Sequence, residues 1–109
     1  MKKQKSKTEP ASDPAEVLRE WFDEYHADDA EEVLLAEGFE DAFLGAGDRG
    51  FNGPLVAIYD YYQCIGILVK RDGMSHEEAI EHFDFHTAGA WVGEHTPIFM
   101  HRYQKPSKR

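Results

Sequence analysis

Apolar residues recur at helical spacing from Val17 to Tyr25: Val17, Leu18, Trp21, Phe22 and Tyr25. Glu16, Glu20, Asp23 and Glu24 fall largely on the other side. This predicts an amphipathic helix that opens near Asp13-Pro14, with Ser12 or Asp13 as cap and proline in the first turn. A second, short helix is expected from Asp29, where Asp29 and Glu32 form a capping pattern, Val33 and Leu34 face inward and Gly38 is the stop. The pattern then changes period. Asp41–Gly47 reads as a weak strand, and the β-branched run Leu55-Val-Ala-Ile-Tyr59 as a strong one. The turn-rich Asp48–Pro54 between them predicts a hairpin with a long loop.

Helical spacing returns after Asp60, which caps a third helix carrying Tyr61, Cys64, Ile65 and Leu68 inward. Lys70 and Arg71 suit its final turn, and Gly73 ends it. Ser75-His-Glu-Glu78 is a capping box for a fourth helix, with Ala79, Ile80, Phe83 and Thr87 inward, fading around Ala88-Gly89. Thr96–Tyr103 reads as a final strand, and Pro97 places it at an edge. The order α-α-β-β-α-α-β fits an α+β fold: a small, three-stranded, mostly antiparallel sheet with about four helices on one face. One domain over 13–103 is expected, with disordered basic tails over 1–12 and 104–109.

Charge changes the picture. Seven of the 12 lysines and arginines lie in the two tails, at Lys2, Lys3, Lys5, Lys7, Lys105, Lys108 and Arg109. Between Thr8 and Gln104 five bases face all 21 acids, a net charge of −16. From Asp13 to Asp48 there are 13 acids and one base, Arg19. Such a field repels nucleic acid and anionic membranes and favours a basic partner. A single cysteine, Cys64, rules out an intrachain disulfide and suits a reducing compartment. No apolar run of about 20 residues is present, and no apolar stretch follows the basic first residues. The expectation is a cytoplasmic protein with no membrane and no sequence-specific nucleic-acid partner.

Candidate chemistry is sparse. Gly45-Ala-Gly-Asp-Arg-Gly50 matches the dinucleotide string, but a strand follows it where that motif needs a helix, and Asp41 and Asp48 would repel phosphate. His82 and His86 stand one helical turn apart, and could share a zinc-type ion if His95, Glu94 or His101 completed the site. Glu78 and His86 lie about 12 Å apart along a helix, too far for one ion. Cys64 sits on an apolar stripe with no neighbouring histidine, as a buried small hydrophobe would. No cofactor is expected beyond that alternative metal, and no catalytic residue is assigned.

The later part of the chain carries Val56-Ala-Ile-Tyr-Asp60, Cys64-Ile-Gly-Ile-Leu68, Arg71-Asp-Gly-Met-Ser75, Phe83-Asp-Phe85, Gly89-Ala-Trp-Val-Gly-Glu94 and Thr96-Pro-Ile-Phe99. With Gly38-Phe-Glu-Asp-Ala42, this text over residues 38–99 resembles a family of small uncharacterised phage and prophage proteins. His86 departs from the asparagine of that pattern. The resemblance implies a mobile genetic element as source and carries over no activity. Within this cassette, Trp91 and Glu94 mark a functional patch, unless Trp91 plugs the core at a tight turn.

Three readings follow. In the first, the chain is an acidic accessory protein that binds a basic host or phage protein as an inhibitor or nucleic-acid mimic. Its contacts would be Glu16, Glu20, Glu24, Glu31, Glu32 and Glu37, with Trp91 and Glu94. The second is a small metal-assisted hydrolase or nucleotide-handling enzyme using His82 and His86. The third is a structural homo-oligomer.

Overall fold

The computed structural model describes residues 13–106. The expectations for residues 1–12 and for 107–109 lie outside the described residues. The fold is α+β. Helix α1 spans Pro14–Tyr25; a 3-10 turn, Glu40–Ala42, leads into strand β1, Phe43–Asp48. Strand β2, Leu55–Asp60, runs directly into helix α2, Tyr61–Asp72. Helix α3, His76–Phe83, passes into a π-turn over Asp84–Ala88, and strand β3 is the short Ile98–Met100.

The sheet order is β1-β2-β3. The hairpin pairs β1 and β2 antiparallel, from Phe43 opposite Tyr59 to Asp48 opposite Leu55, with a bulge between Phe43 and Gly45. The glycine string therefore runs along a bent strand into a turn. Gly53 in that turn admits no side chain, since a Cβ there would lie 1.6 Å from the Arg49 carbonyl oxygen. Strand β3 lies at the opposite edge, as Pro97 predicts, but pairs parallel to β2. The sheet is thus mixed, because α2 and α3 form a crossover that returns the chain in the original direction.

Capping follows the sequence closely in the second half. Asp60 Oδ1 accepts from the amides of Tyr62 (2.9 Å) and Gln63 (3.2 Å). Gly73 closes α2 in the left-handed region at φ 71°. Ser75 and Glu78 form the reciprocal capping box of α3. Asp13 takes the N-cap position of α1 without a side-chain hydrogen bond.

One expectation is corrected. Residues 27–32 form turns instead of a second helix, and 33–36 are irregular. Backbone groups that a helix would pair internally have other partners here. Arg19 Nη1 donates to the carbonyls of Ala30 (2.7 Å) and Val33 (3.0 Å), and the Ala36 amide donates to Tyr59 Oη (2.8 Å). Successive β2 residues Val56 and Ala57 point to opposite faces and both are fully buried, so both faces of the central strand are covered. The apolar stripe of α1 is also only partly buried. Phe22 is in the core, while Val17 is 49% and Tyr25 63% exposed.

The core is aromatic. Phe22 meets Trp21 and Phe43, Phe43 meets Tyr59, and Phe83 meets Phe39, Tyr61 and Phe99, mostly edge to face at 5.0–5.9 Å. Cys64, Ile65 and Leu68 complete it from α2. Burial pushes the Cys64 thiol up to about 12, with the Asp60 charge adding to the shift, so the cysteine is a core residue and not a nucleophile. No helix of the described residues is long and apolar enough to cross a membrane.

Candidate functional site

The acidic surface is built from α1 and the turns that follow it. Glu16, Glu20 and Glu24 recur every four residues, and each is exposed. At 1.5 Å rise per residue their carboxylates step about 6 Å along the helix. Glu31, Glu32 and Glu37 are exposed on the following segment. Arg19 holds that segment against α1 through Ala30 and Val33. Its guanidinium therefore binds backbone oxygen, and no ion pair of Arg19 occurs among the described residues. Glu32 faces His95 Nε2 at 3.4 Å; the other five glutamates have no cationic partner among the described residues.

Two grooves flank the first turn of α1. One, of about 430 Å³, has Ala15, Leu34 and Leu35 as its apolar lining and Glu16, Glu37 and Glu40 as its acids. The other includes Pro14, Glu40, Asp41 and Tyr62, and carries Lys70 and Arg71. Folding thus brings Glu16 beside Glu37 across a bend in the chain. Glu20 and Glu24 continue the same field along α1, outside the groove.

Trp91 and Glu94 lie elsewhere on the surface. Trp91 is 64% exposed, so it is not a core plug. Arg49 organises this segment: its guanidinium sits 5.3 Å from the Trp91 ring centroid, Nε donates to the Glu94 carbonyl at 3.1 Å, and Nη2 donates to that of Thr96. His95 links the two regions, with Nδ1 3.1 Å from the Leu55 carbonyl oxygen and Nε2 toward Glu32. Trp91, Val92 and Glu94 form an exposed strip on that scaffold.

His82 and His86 converge, with ring centroids 4.6 Å apart. They line a groove with Met74, Glu78, Glu81 and Phe85. The π-turn carries His86 and breaks the regular i+4 ladder there. Asp72 has its carboxyl held below the usual range, first by the hydrogen bond from Arg71, then by the Arg71 charge and, least, by His82. Among the described residues no third histidine, cysteine, aspartate or glutamate joins the pair in metal-binding geometry. His101, offered as a third ligand, instead stacks on Tyr61 at 4.1 Å.

Sequence reasoning missed one cluster. The β2–α2 junction and the chain after β3 meet through Asp60, Tyr61, Asp84, His101 and Arg102. Asp60 is 1% exposed, and its Oδ2 lies 2.9 Å from Arg102 Nη2 in an ion pair without hydrogen-bond alignment. Tyr61 Oη donates to Asp84 Oδ1 at 2.8 Å. Burial and that carboxylate raise the Tyr61 phenol to about 12. The cap signal marked Asp60, but nothing local in sequence marks Arg102, because their proximity depends on the parallel pairing of β3. The cluster joins two parts of the fold, and Arg102 answers the only buried carboxylate among the described residues. No protein-family model, curated protein or solved structure matches this chain.

Proposed function

We propose that this chain is a non-enzymatic, phage-type accessory protein that binds a basic surface on a host or phage protein. The observation that carries this reading is the placement of Arg19. The single base among 13 acids from Asp13 to Asp48 binds carbonyl oxygens instead of neutralising its neighbours. Like charges left exposed and unpaired repel one another and oppose compaction. A cationic partner relieves that repulsion.

The groove adds shape to the charge. Its apolar lining and acidic rim suit a lysine- or arginine-rich segment with alternating small apolar residues. Glu16, Glu20 and Glu24 step roughly 6 Å along α1. A row of exposed carboxylates at that spacing suits a basic protein surface, including one that binds nucleic acid, and inhibition by occupying such a surface is the expected consequence.

The test is binding to an immobilised lysine-alanine peptide at two salt concentrations. Between 50 mM and 500 mM salt the affinity is expected to fall at least ten-fold, as screened exposed charges require. Glu16→Gln with Glu37→Gln should weaken binding at low salt. Affinity that is unchanged by salt would sink the reading.

A further inference from the structure

We propose that His82 and His86 from two copies of this chain hold one zinc-type ion between them, and that the ion joins the copies as a dimer. This goes beyond the reading above and uses none of the α1 glutamates. The two rings lie 4.6 Å apart, centroid to centroid, with their planes tilted by 42°. Zinc binds imidazole nitrogen at about 2.0–2.1 Å, and the ring centre lies about 1.1 Å behind that nitrogen, so two rings on one tetrahedral ion have centroids about 5.2 Å apart. Closing the pair on an ion therefore takes a side-chain adjustment of about 0.6 Å.

The fold builds this convergence. In a regular α-helix, residues four apart are offset by about 40° around the axis. The π-turn over Asp84–Ala88 rotates less per residue and brings His86 closer to line with His82. Such turns inside helices recur at functional sites. Contacts at both ends hold this one. Where it begins, Tyr61 Oη donates to Asp84 Oδ1 at 2.8 Å. Just past its end stands Gly89, where a Cβ would come within 2.7 Å of the Asp84 carbonyl oxygen. Phe83, between the histidines, is fully buried and fixes the helix in the core. Both histidines are exposed, so the pair is oriented by the fold without being needed for its packing.

Coordination number calls for the second copy. A closed zinc site takes four ligands. One chain supplies two, and among the described residues no third histidine, cysteine, aspartate or glutamate joins them. His95 is engaged with Leu55 and Glu32, and His101 with Tyr61. A two-fold axis through the ion brings the same pair from another copy and completes the set. The surroundings suit both parts of the assembly. Glu78 and Glu81 line the groove and favour a cation. Phe85 lines it too and is 78% exposed, an apolar surface that a second copy covers.

The experiment follows the mass of the full, untagged chain by sedimentation as zinc chloride is added after chelator treatment. It compares the parent, His82→Gln, His86→Asn and the control His76→Gln, which removes an exposed histidine of α3 that does not line the groove. The parent is expected to pass from monomer to dimer, with the change complete at one zinc per two chains. Each pair variant should need roughly ten-fold more zinc or beyond for half-dimerisation, because it loses two of the four ligands. The control should stay within about two-fold of the parent. Circular dichroism of all four proteins should coincide, since the substituted side chains are exposed. Cobalt in place of zinc should give the parent, and not the pair variants, the intense visible absorption of a tetrahedral ion. That readout on the parent decides the coordination even if a variant misfolds. One zinc per chain without dimerisation, a zinc dimer formed equally by the pair variants, or a dimer that survives chelator overturns the proposal. So does a parent that stays monomeric in excess zinc. None of these outcomes touches the function reading, which the lysine-alanine peptide tests separately.

Discussion

Replacing Arg102 with alanine tests the junction between β2 and the chain after β3. Asp60 is 1% exposed, while the Arg102 side chain is 53% exposed. A fully buried pair broken on one side costs about 3–5 kcal/mol, and an exposed pair about 0.2–1 kcal/mol. This pair is buried on the carboxylate side only, so half of the guanidinium's interaction is already with water. Arg102→Ala is therefore expected to destabilise by about 2 kcal/mol, chiefly by stranding Oδ2 without a counter-charge. For a domain of this size that lowers Tm by roughly 8–12 °C. Asp60→Asn keeps an oxygen to accept from Tyr62 and Gln63 and removes the buried charge, at about 1 kcal/mol. The double variant is the sharper measurement. With no charge left to strand, its loss should be about 1–1.5 kcal/mol, well below the sum of the single losses. Urea unfolding followed by tryptophan fluorescence and by circular dichroism supplies all four values. Additive losses, or an Arg102→Ala loss under 0.5 kcal/mol, would show that water solvates Oδ2 and refute the argument.

Tyr59→Phe leaves the Ala36 amide without its acceptor and should cost about 1–2 kcal/mol, with faster hydrogen exchange at that amide. Burial raises the Tyr59 phenol to about 12, as burial and Asp84 do for Tyr61. The folded state holds both protons, so this stability is intact below the unfolded tyrosine value of about 10 and is lost as pH rises through about 12. Absorbance at 295 nm against urea stability over that range checks it, and constant stability from pH 9 to 12 would contradict it. Native Cys64, with its thiol near 12, should be alkylated only as fast as the chain opens. A rate at pH 8 that matches a free thiol would exclude the buried placement.

Legibility in the sequence followed the range of the interaction. Asp60, Gly73 and the Ser75–Glu78 box act within four residues, and each does what its local chemistry predicts. The hairpin was readable for the same reason, because a turn-rich loop joins adjacent strands. The Asp29–Gly38 helix failed through distant partners: Arg19 and Tyr59 engage its backbone from 11 to 23 residues away. Those partners leave no trace in spacing or capping. The direction of β3 failed likewise, since apolar alternation reports a strand but not its orientation. The acidic field was legible as composition. That Arg19 does not neutralise it, and that Glu16 faces Glu37 across a groove, depended on the bend those same bonds impose.

Strand β3 touches β2 over three residue pairs, about 40 positions along the chain from its partner. The β1–β2 hairpin closes locally, whereas this pairing must wait for two helices to bring the chain back. Assembly is thus expected to end at Ile98–Met100, and reversible opening to begin there. Each opening bares the edge of β2 over Ile58–Asp60, the stretch that β3 pairs. The Ile98–Met100 segment of a second molecule carries the same register and can fill that gap. Strand exchange between copies is then the built-in hazard of this topology, and the Asp60–Arg102 contact is the latch that keeps it rare.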